Sequence, residues 1–194
     1  VYTTPDASRR TAVKIMITDT LGEDYQELSL RKLSVSEHLQ GKKTTIDYEF
    51  FDGAQIIEIN DAPGMGAADA FFKSIIAHYR DFSSIQPLQL KSFEVKADLP
   101  RSQAGTDAKV LVGAEFCNGR QSATFTASDY SIVTACCKCV LDSVEYFLNS
   151  ELAFKKMKMI IQDAKSRNRS DIVSKYEYRL ASLVNSNIAF YEGV

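Results

Sequence analysis

Apolar and polar residues alternate through the first half of the chain in a pattern that is then repeated. Leu28, Leu30, Leu33 and Val35 are separated by polar residues, and the same spacing returns sixty positions later as Leu88, Leu90, Phe93 and Val95. Both runs slip by one residue in the same place, between 30 and 33 and between 90 and 93. Such a slip in a period-two pattern predicts a β-bulge. A second match follows, Glu49-Phe50-Phe51-Asp52-Gly53 against Glu115-Phe116-Cys117-Asn118-Gly119. Asp-Gly and Asn-Gly between apolar-patterned runs predict tight hairpins of type I′, in which both central residues need positive φ.

Each unit therefore reads strand, strand, tight turn, strand, helix. The first has strands near 28–36, 44–51 and 54–60 and a helix from about Ala67 to Arg80. The second has strands near 88–97, 107–117 and 120–127 and a helix from about Ser131 to Asn149. A three-stranded sheet with one helix cannot bury its apolar face alone. The predicted fold class is accordingly α+β, with two βββα units related by a pseudo-twofold in a two-layer α/β sandwich and a helical C-terminal tail. Phe71, Phe72, Ile75, Ile76 and Tyr79 wrap round more of the first helix than one sheet covers, which calls for a second chain or for the C-terminal tail.

The flanks divide the chain into a lead segment 1–27, the duplicated domain 28–150 and a tail 151–194. Ala12-Val13-Lys14-Ile15-Met16-Ile17 alternates and is expected as a strand. Beyond Ser150 two helical patterns follow, one carrying Phe154, Met157, Ile161 and Ala164. The other begins after Ser170-Asp171 as an N-cap and carries Val173, Tyr176, Leu180, Leu183 and Val184.

With 194 residues, 45% of them apolar and 25% charged, the chain has the make-up of an ordinary globular protein. A net charge of −2 supplies no field for nucleic acid or an anionic membrane. Lys155, Lys156, Lys158, Lys165, Arg167 and Arg169 tint the tail basic, but Asp163, Asp171 and Glu177 dilute it. No apolar run reaches the ~18 residues of a membrane span, and Val1-Tyr2-Thr3-Thr4-Pro5 does not open as a secretory leader does. Cys136, Cys137 and Cys139 are too close together for a disulfide framework. With Cys117 they are expected to be small buried residues of a reducing, cytoplasmic compartment.

Candidate chemistry is sparse. His38 and His78 stand outside any metal or catalytic spacing, and His78 falls on the inner stripe of the first helix, where a satisfied core residue is expected. No catalytic residue, metal site or cofactor is predicted. The informative segment is Asp61-Ala62-Pro63-Gly64-Met65-Gly66-Ala67-Ala68-Asp69, where a strand ends and a helix starts across two glycines. Its unpaired N–H groups and helix dipole can hold a carboxylate or phosphate; the plain alternative is a glycine turn. The matching place in the second unit, Ser128-Asp129-Tyr130-Ser131, reads as an ordinary cap.

These residues resemble the C-terminal regulatory domain of alpha-isopropylmalate synthase and its relative citramalate synthase. Gly64-Met65-Gly66-Ala67-Ala68-Asp69-Ala70 stands where the family has Gly-Asn-Gly-Pro opening a helix with Asp-Ala, and Gly105-Thr106-Asp107-Ala108 matches its Gly-Thr-Asp-Ala. Ile132-Val133-Thr134-Ala135 and Leu141-Asp142-Ser143-Val144-Glu145-Tyr146 resemble the last helix of the citramalate branch. The resemblance covers about Leu28 to Leu148. It implies a homodimer that binds leucine or isoleucine and lowers the activity of a TIM-barrel catalytic domain in the same or another chain, with no catalysis of its own. By the same resemblance the effector would lie between Gly64, Met65, Gly66 and Ala67 and a wall of Leu90, Phe93, Ala97, Ala108, Val110 and Ile132. Met65 and Ala67 replace the family's Asn and Pro, and Ser92-Phe93 replaces Asp-Tyr. These changes remove a carboxylate and a hydroxyl and leave the effector's ammonium without a named partner. The rival expectation is a structural dimerisation module that has lost its ligand.

Overall fold

The computed structural model describes residues 5–41, 43–97, 108–119 and 121–186. Helix α1 (Pro5–Leu21) leads through a short 3-10 turn into β1 (Leu28–His38), β2 (Lys43–Asp52), β3 (Gln55–Gly64) and α2 (Ala67–His78). The second unit repeats the order as β4 (Leu88–Ala97), β5 (Val110–Asn118), β6 (Gln121–Asp129) and α3 (Ile132–Ser166), and α4 (Ser170–Ser186) closes the chain. Each unit forms its own antiparallel three-stranded sheet, ordered β1-β2-β3 and β4-β5-β6. The fold is the expected α+β duplication.

The repeated slip in phase is a repeated bulge. Register shifts between Leu30 and Lys32 on β1 and between Leu90 and Ser92 on β4. One extra residue in each strand returns Leu33 and Phe93 to the face already occupied by Leu30 and Leu90. Both hairpins are present, with a different turn from the one expected. Asp52 pairs with Gln55 and Asn118 with Gln121, so each glycine is the first of two loop residues. Gly53 (φ 56°) and Gly119 (φ 79°) supply the positive φ, the pattern of a turn with glycine at its first central position.

The units differ at β3. Its register to β2 shifts between Ile46 and Tyr48, where Asp61 takes φ 54° and donates its N–H to Asp47 Oδ1 at 2.8 Å. Aspartate tolerates this left-handed conformation better than most side chains. The strand then continues through Pro63 to Gly64, which pairs with Thr44. From sequence alone this stretch reads as the turn. Pro63 is accommodated because β3 is an edge strand and needs no outward N–H.

The core follows the pleat. Ile46, Tyr48 and Phe50 are buried on one face of β2, under Phe71 and Ile75 of α2. Tyr48 and Phe71 rings lie 4.5 Å apart and the Tyr48 hydroxyl meets Ser74 Oγ at 2.8 Å. Burial pushes the Tyr48 phenol up to about 12, with the Ser74 bond pulling the other way. Each such side chain contributes roughly 1.5–3 kcal/mol by leaving water. In the second sheet Val112, Ala114, Phe116 and Phe125 do the same under α3.

Three expectations are corrected. The segment 12–17 is helical, not a strand: Val13, Ile17 and Leu21 are buried at four-residue spacing while Ile15 is 65% exposed. The helix of the second unit does not stop at Asn149 but runs for 35 residues to Ser166, joining domain and tail in one element. Asn149 is satisfied by Gln26, accepting its N–H and donating to its carbonyl, and Ser150 Oγ donates to the Tyr146 carbonyl, so neither polar side chain breaks the helix. The apolar surplus of α2 is covered within the chain: Phe72 lies 5.8 Å from Phe116 of the second sheet, and α2 packs against α3.

Candidate functional site

The segment at the start of α2 is built around packing as much as access. A Cβ on Gly64 would lie 2.4 Å from the Ala70 backbone nitrogen, so this glycine lets the first turn of α2 sit against the end of β3. Gly66 is different. It is the N-cap of α2 in extended conformation, contributes no side-chain cap, and a Cβ there meets nothing within 4 Å. The Ala70 N–H already bonds to the Gly66 carbonyl. The N–H groups of the first turn have no acceptor within the helix.

One amide of the turn is taken. Met65 N–H donates to Asp69 Oδ2 at 3.0 Å, and Lys73 Nζ holds the same oxygen at 2.8 Å. The Lys73 bond, then the Met65 bond, holds the Asp69 carboxyl below its usual range. Its negative charge therefore already faces the positive end of the helix. The Met65 side chain itself is 75% exposed and Ala67 is buried beneath the turn. At the start of α3 the expected ordinary cap is present: Ser131 Oγ accepts from Thr134 N–H at 3.3 Å.

The other predicted wall is one face of the second sheet. Ala97 pairs with Val110, Phe93 with Ala114 and Leu90 with Phe116, so Leu90, Phe93, Ala97 and Val110 share the side that α3 packs on. Phe93 is 43% exposed, and Leu90, Val95 and Ala97 are exposed beside it. Ile132 is exposed at the first residue of α3, while Ala108 and Val110 are half-buried. Among the described residues, β4 thus leaves an apolar face open, whereas the apolar stripe of α2 is largely covered. Gly105, Thr106 and Asp107 lie outside the described residues.

Two features escaped the sequence reading. Glu145 on α3 is 5% exposed and accepts from Lys14 Nζ (2.9 Å), the Tyr25 hydroxyl (2.7 Å) and the Leu28 N–H (2.9 Å). A recess of about 690 Å³ opens between α1, β6 and α3 and is lined by Arg10, Lys14, Ile15, Phe125, Asp142 and Tyr146 among others. Only proximity in space joins these residues, so no local pattern announces them.

The remaining groups are structural. Cys117, Cys136, Cys137 and Cys139 are buried free thiols; burial raises Cys136 to about 11 and Cys137 and Cys139 to about 12, which keeps these last three protonated and unreactive. His78 is exposed rather than on the inner stripe, its ring edge-on to Phe50 and Tyr79. In the tail, Lys155, Lys156, Lys165, Arg167 and Arg169 pair with Glu151, Asp24, Glu177, Asp163 and Asp171. Among the described residues no group of three or more metal-ligating side chains converges, and no helix is long and apolar enough to cross a membrane.

No curated protein matches the chain significantly. The family described as the LeuA allosteric (dimerisation) domain matches residues 8–148. The match takes in both βββα units together with most of α1, and so reaches further toward the N-terminus than the resemblance at Leu28 to Leu148. The chain belongs to the LeuA allosteric (dimerisation) domain family: it is a regulatory and dimerisation domain of the kind carried by LeuA-like synthases.

Proposed function

We propose that the domain senses a branched-chain amino acid, leucine or isoleucine, and feeds this back on an acyltransferase of the 2-isopropylmalate or citramalate synthase type. The catalytic unit would be a TIM barrel in the same or another chain, and the setting cytoplasmic. The observation that carries the reading is the asymmetry of the two duplicated helices. The second has a side-chain cap at Ser131, whereas the first starts at a bare Gly66 with open space beside it. A ligand carboxylate on the N–H groups of that first turn completes the cap. The aliphatic side chain then needs an apolar wall, and Leu90, Phe93, Ala97, Val110 and Ile132 supply one.

A second reading is a dimerisation module without an effector, and Asp69 favours it. Its carboxylate occupies the Met65 amide and opposes a second anion at the same helix end. Both readings use the open β4 face as the contact between two chains.

The deciding measurement is calorimetric titration of the chain with leucine, isoleucine and valine, beside light scattering for mass. Saturable heat with leucine or isoleucine, abolished by Gly66→Val in a protein that remains dimeric, supports the sensor. Absence of heat and of thermal stabilisation with all three leaves the structural module.

A further inference from the structure

The recess between α1, β6 and α3 is remote in sequence from the Gly64–Ala67 turn and plays no part in the effector reading. Its volume of about 690 Å³ falls within the range of small-molecule clefts, ~300–1,000 Å³. Ile15, Phe125 and Tyr146 give it apolar and aromatic walls. Ile15 is the informative one, because it is turned away from the buried Val13–Ile17–Leu21 stripe of its own helix and toward the recess.

The charges lining the recess are unequally satisfied. Lys14 is held by Glu145 at 2.9 Å and Asp19 by Arg179 at 2.6 Å. The Arg10 guanidinium donates to the Thr124 carbonyl and lies over the Phe125 ring, 4.7 Å from its centre. Asp142 has neither a hydrogen bond nor an ion pair among the described residues. Arg10, Lys14 and Lys138 attract it only from beyond contact, and Glu145 on the next helical turn repels it. Asp142 is exposed at the recess, so water screens it in part, and it gains from an opposite charge brought into contact beside the apolar walls, where that screening falls.

We propose that this recess binds an organic ammonium, an amine carried on an apolar or aromatic body. The amine pairs with Asp142 and the body rests against Ile15, Phe125 and Tyr146. An amine is favoured over an anion because Lys14 is already neutralised by Glu145 and the Arg10 guanidinium is committed to the Thr124 carbonyl and the Phe125 ring, and over a neutral molecule, which would leave Asp142 as it stands.

Amide-resolved NMR of the ¹⁵N-labelled chain tests this with three probes that share a phenylethyl body: 2-phenylethylamine, 2-phenylethanol and 3-phenylpropanoate. The expected result is saturable shifts with the amine alone at millimolar concentration, centred on the amides of Ile15, Thr126 and Tyr146. Asp142→Asn, whose spectrum must show the native fold, should weaken binding at least about tenfold, which is 1.4 kcal/mol. Ile15→Trp, a change at an exposed position, should block the recess and abolish the shifts. Equal binding of the alcohol, preferential binding of the carboxylate, unchanged affinity in Asp142→Asn, or no saturable shift with any probe would each overturn the proposal. Leucine titration reports on Met65 and Phe93 instead, so failure at one site is distinguishable from failure at the other.

Discussion

Glu145 accepts a hydrogen bond from the Leu28 backbone N–H at 2.9 Å, so the helix of the second unit anchors the first strand of the first. Asn149, one turn further on, does the same for Gln26, and Glu151 accepts from Ser84 N–H at 2.9 Å ahead of β4. Three polar side chains of α3 thus hold the segments that lead into both sheets.

Glu145→Ala should be among the most destabilising single changes in the domain. It leaves the Leu28 N–H and the Tyr25 hydroxyl without their acceptor and Lys14 without its partner. A loss of about 3 kcal/mol is expected, with Glu145→Gln costing less because it keeps an oxygen acceptor. Urea unfolding followed by circular dichroism measures both.

The two glycines of the turn should respond unequally. Gly64→Ala places a methyl 2.4 Å from the Ala70 nitrogen and must push α2 off the end of β3, at about 2 kcal/mol or more. Gly66→Ala has open space and an extended backbone, so its change should stay within about 0.5 kcal/mol. Scanning calorimetry of the pair separates a packing glycine from a merely permissive one.

Asp69→Ala tells the two functional readings apart. Removing the carboxylate frees the Met65 N–H and takes a favourable charge from the helix start, at a cost of about 0.5–1 kcal/mol in stability. The folded carboxyl is held below its ordinary value. Its contribution is therefore present above pH about 4 and fades as the pH drops through the lower folded value. If the turn receives an amino-acid carboxylate, the same change should tighten leucine binding, as calorimetry will show. Unchanged affinity would mean that the ligand does not use this helix end.

Asp142 has the reverse pH dependence. The walls of the recess, then the charge of Glu145, raise its carboxyl to about 6, although solvent still reaches it. The protonated form is thus favoured by folding. This contribution to stability is greatest below pH about 4 and is lost as the pH rises through about 6. Asp142→Asn should remove that slope and stabilise the chain at neutral pH by ~1 kcal/mol once solvent screening is allowed for. Melting temperatures across the range read this directly.

The sheets were legible because their signals are local and occur twice. The slips at Arg31 and Lys91 and the glycines after Asp52 and Asn118 each act on the residues beside them. The flanks were not legible, for physical reasons that differ. Val13, Ile15 and Ile17 satisfy a period of two, yet Leu21 completes a stripe at four-residue spacing that only packing against α3 selects. Asn149-Ser150 reads as a stop, but both side chains have partners in or against the helix. At the candidate site, the pattern marks the segment ahead of α2 but ends the strand near 60, whereas β3 runs on to Gly64; the packing role of Gly64 has no local signal, since the close approach of Ala70 comes from tertiary packing. The recess is invisible in sequence because Arg10 and Asp142 come to line one cavity only after α1 docks.

Helix α3 begins in the second unit and ends beside α4 without interruption. At 1.5 Å per residue it is a shaft of roughly 50 Å. Tilting it by about 10° would carry its far end through roughly 9 Å by that length. A small readjustment between the duplicated halves would therefore be amplified at the α3–α4 hairpin.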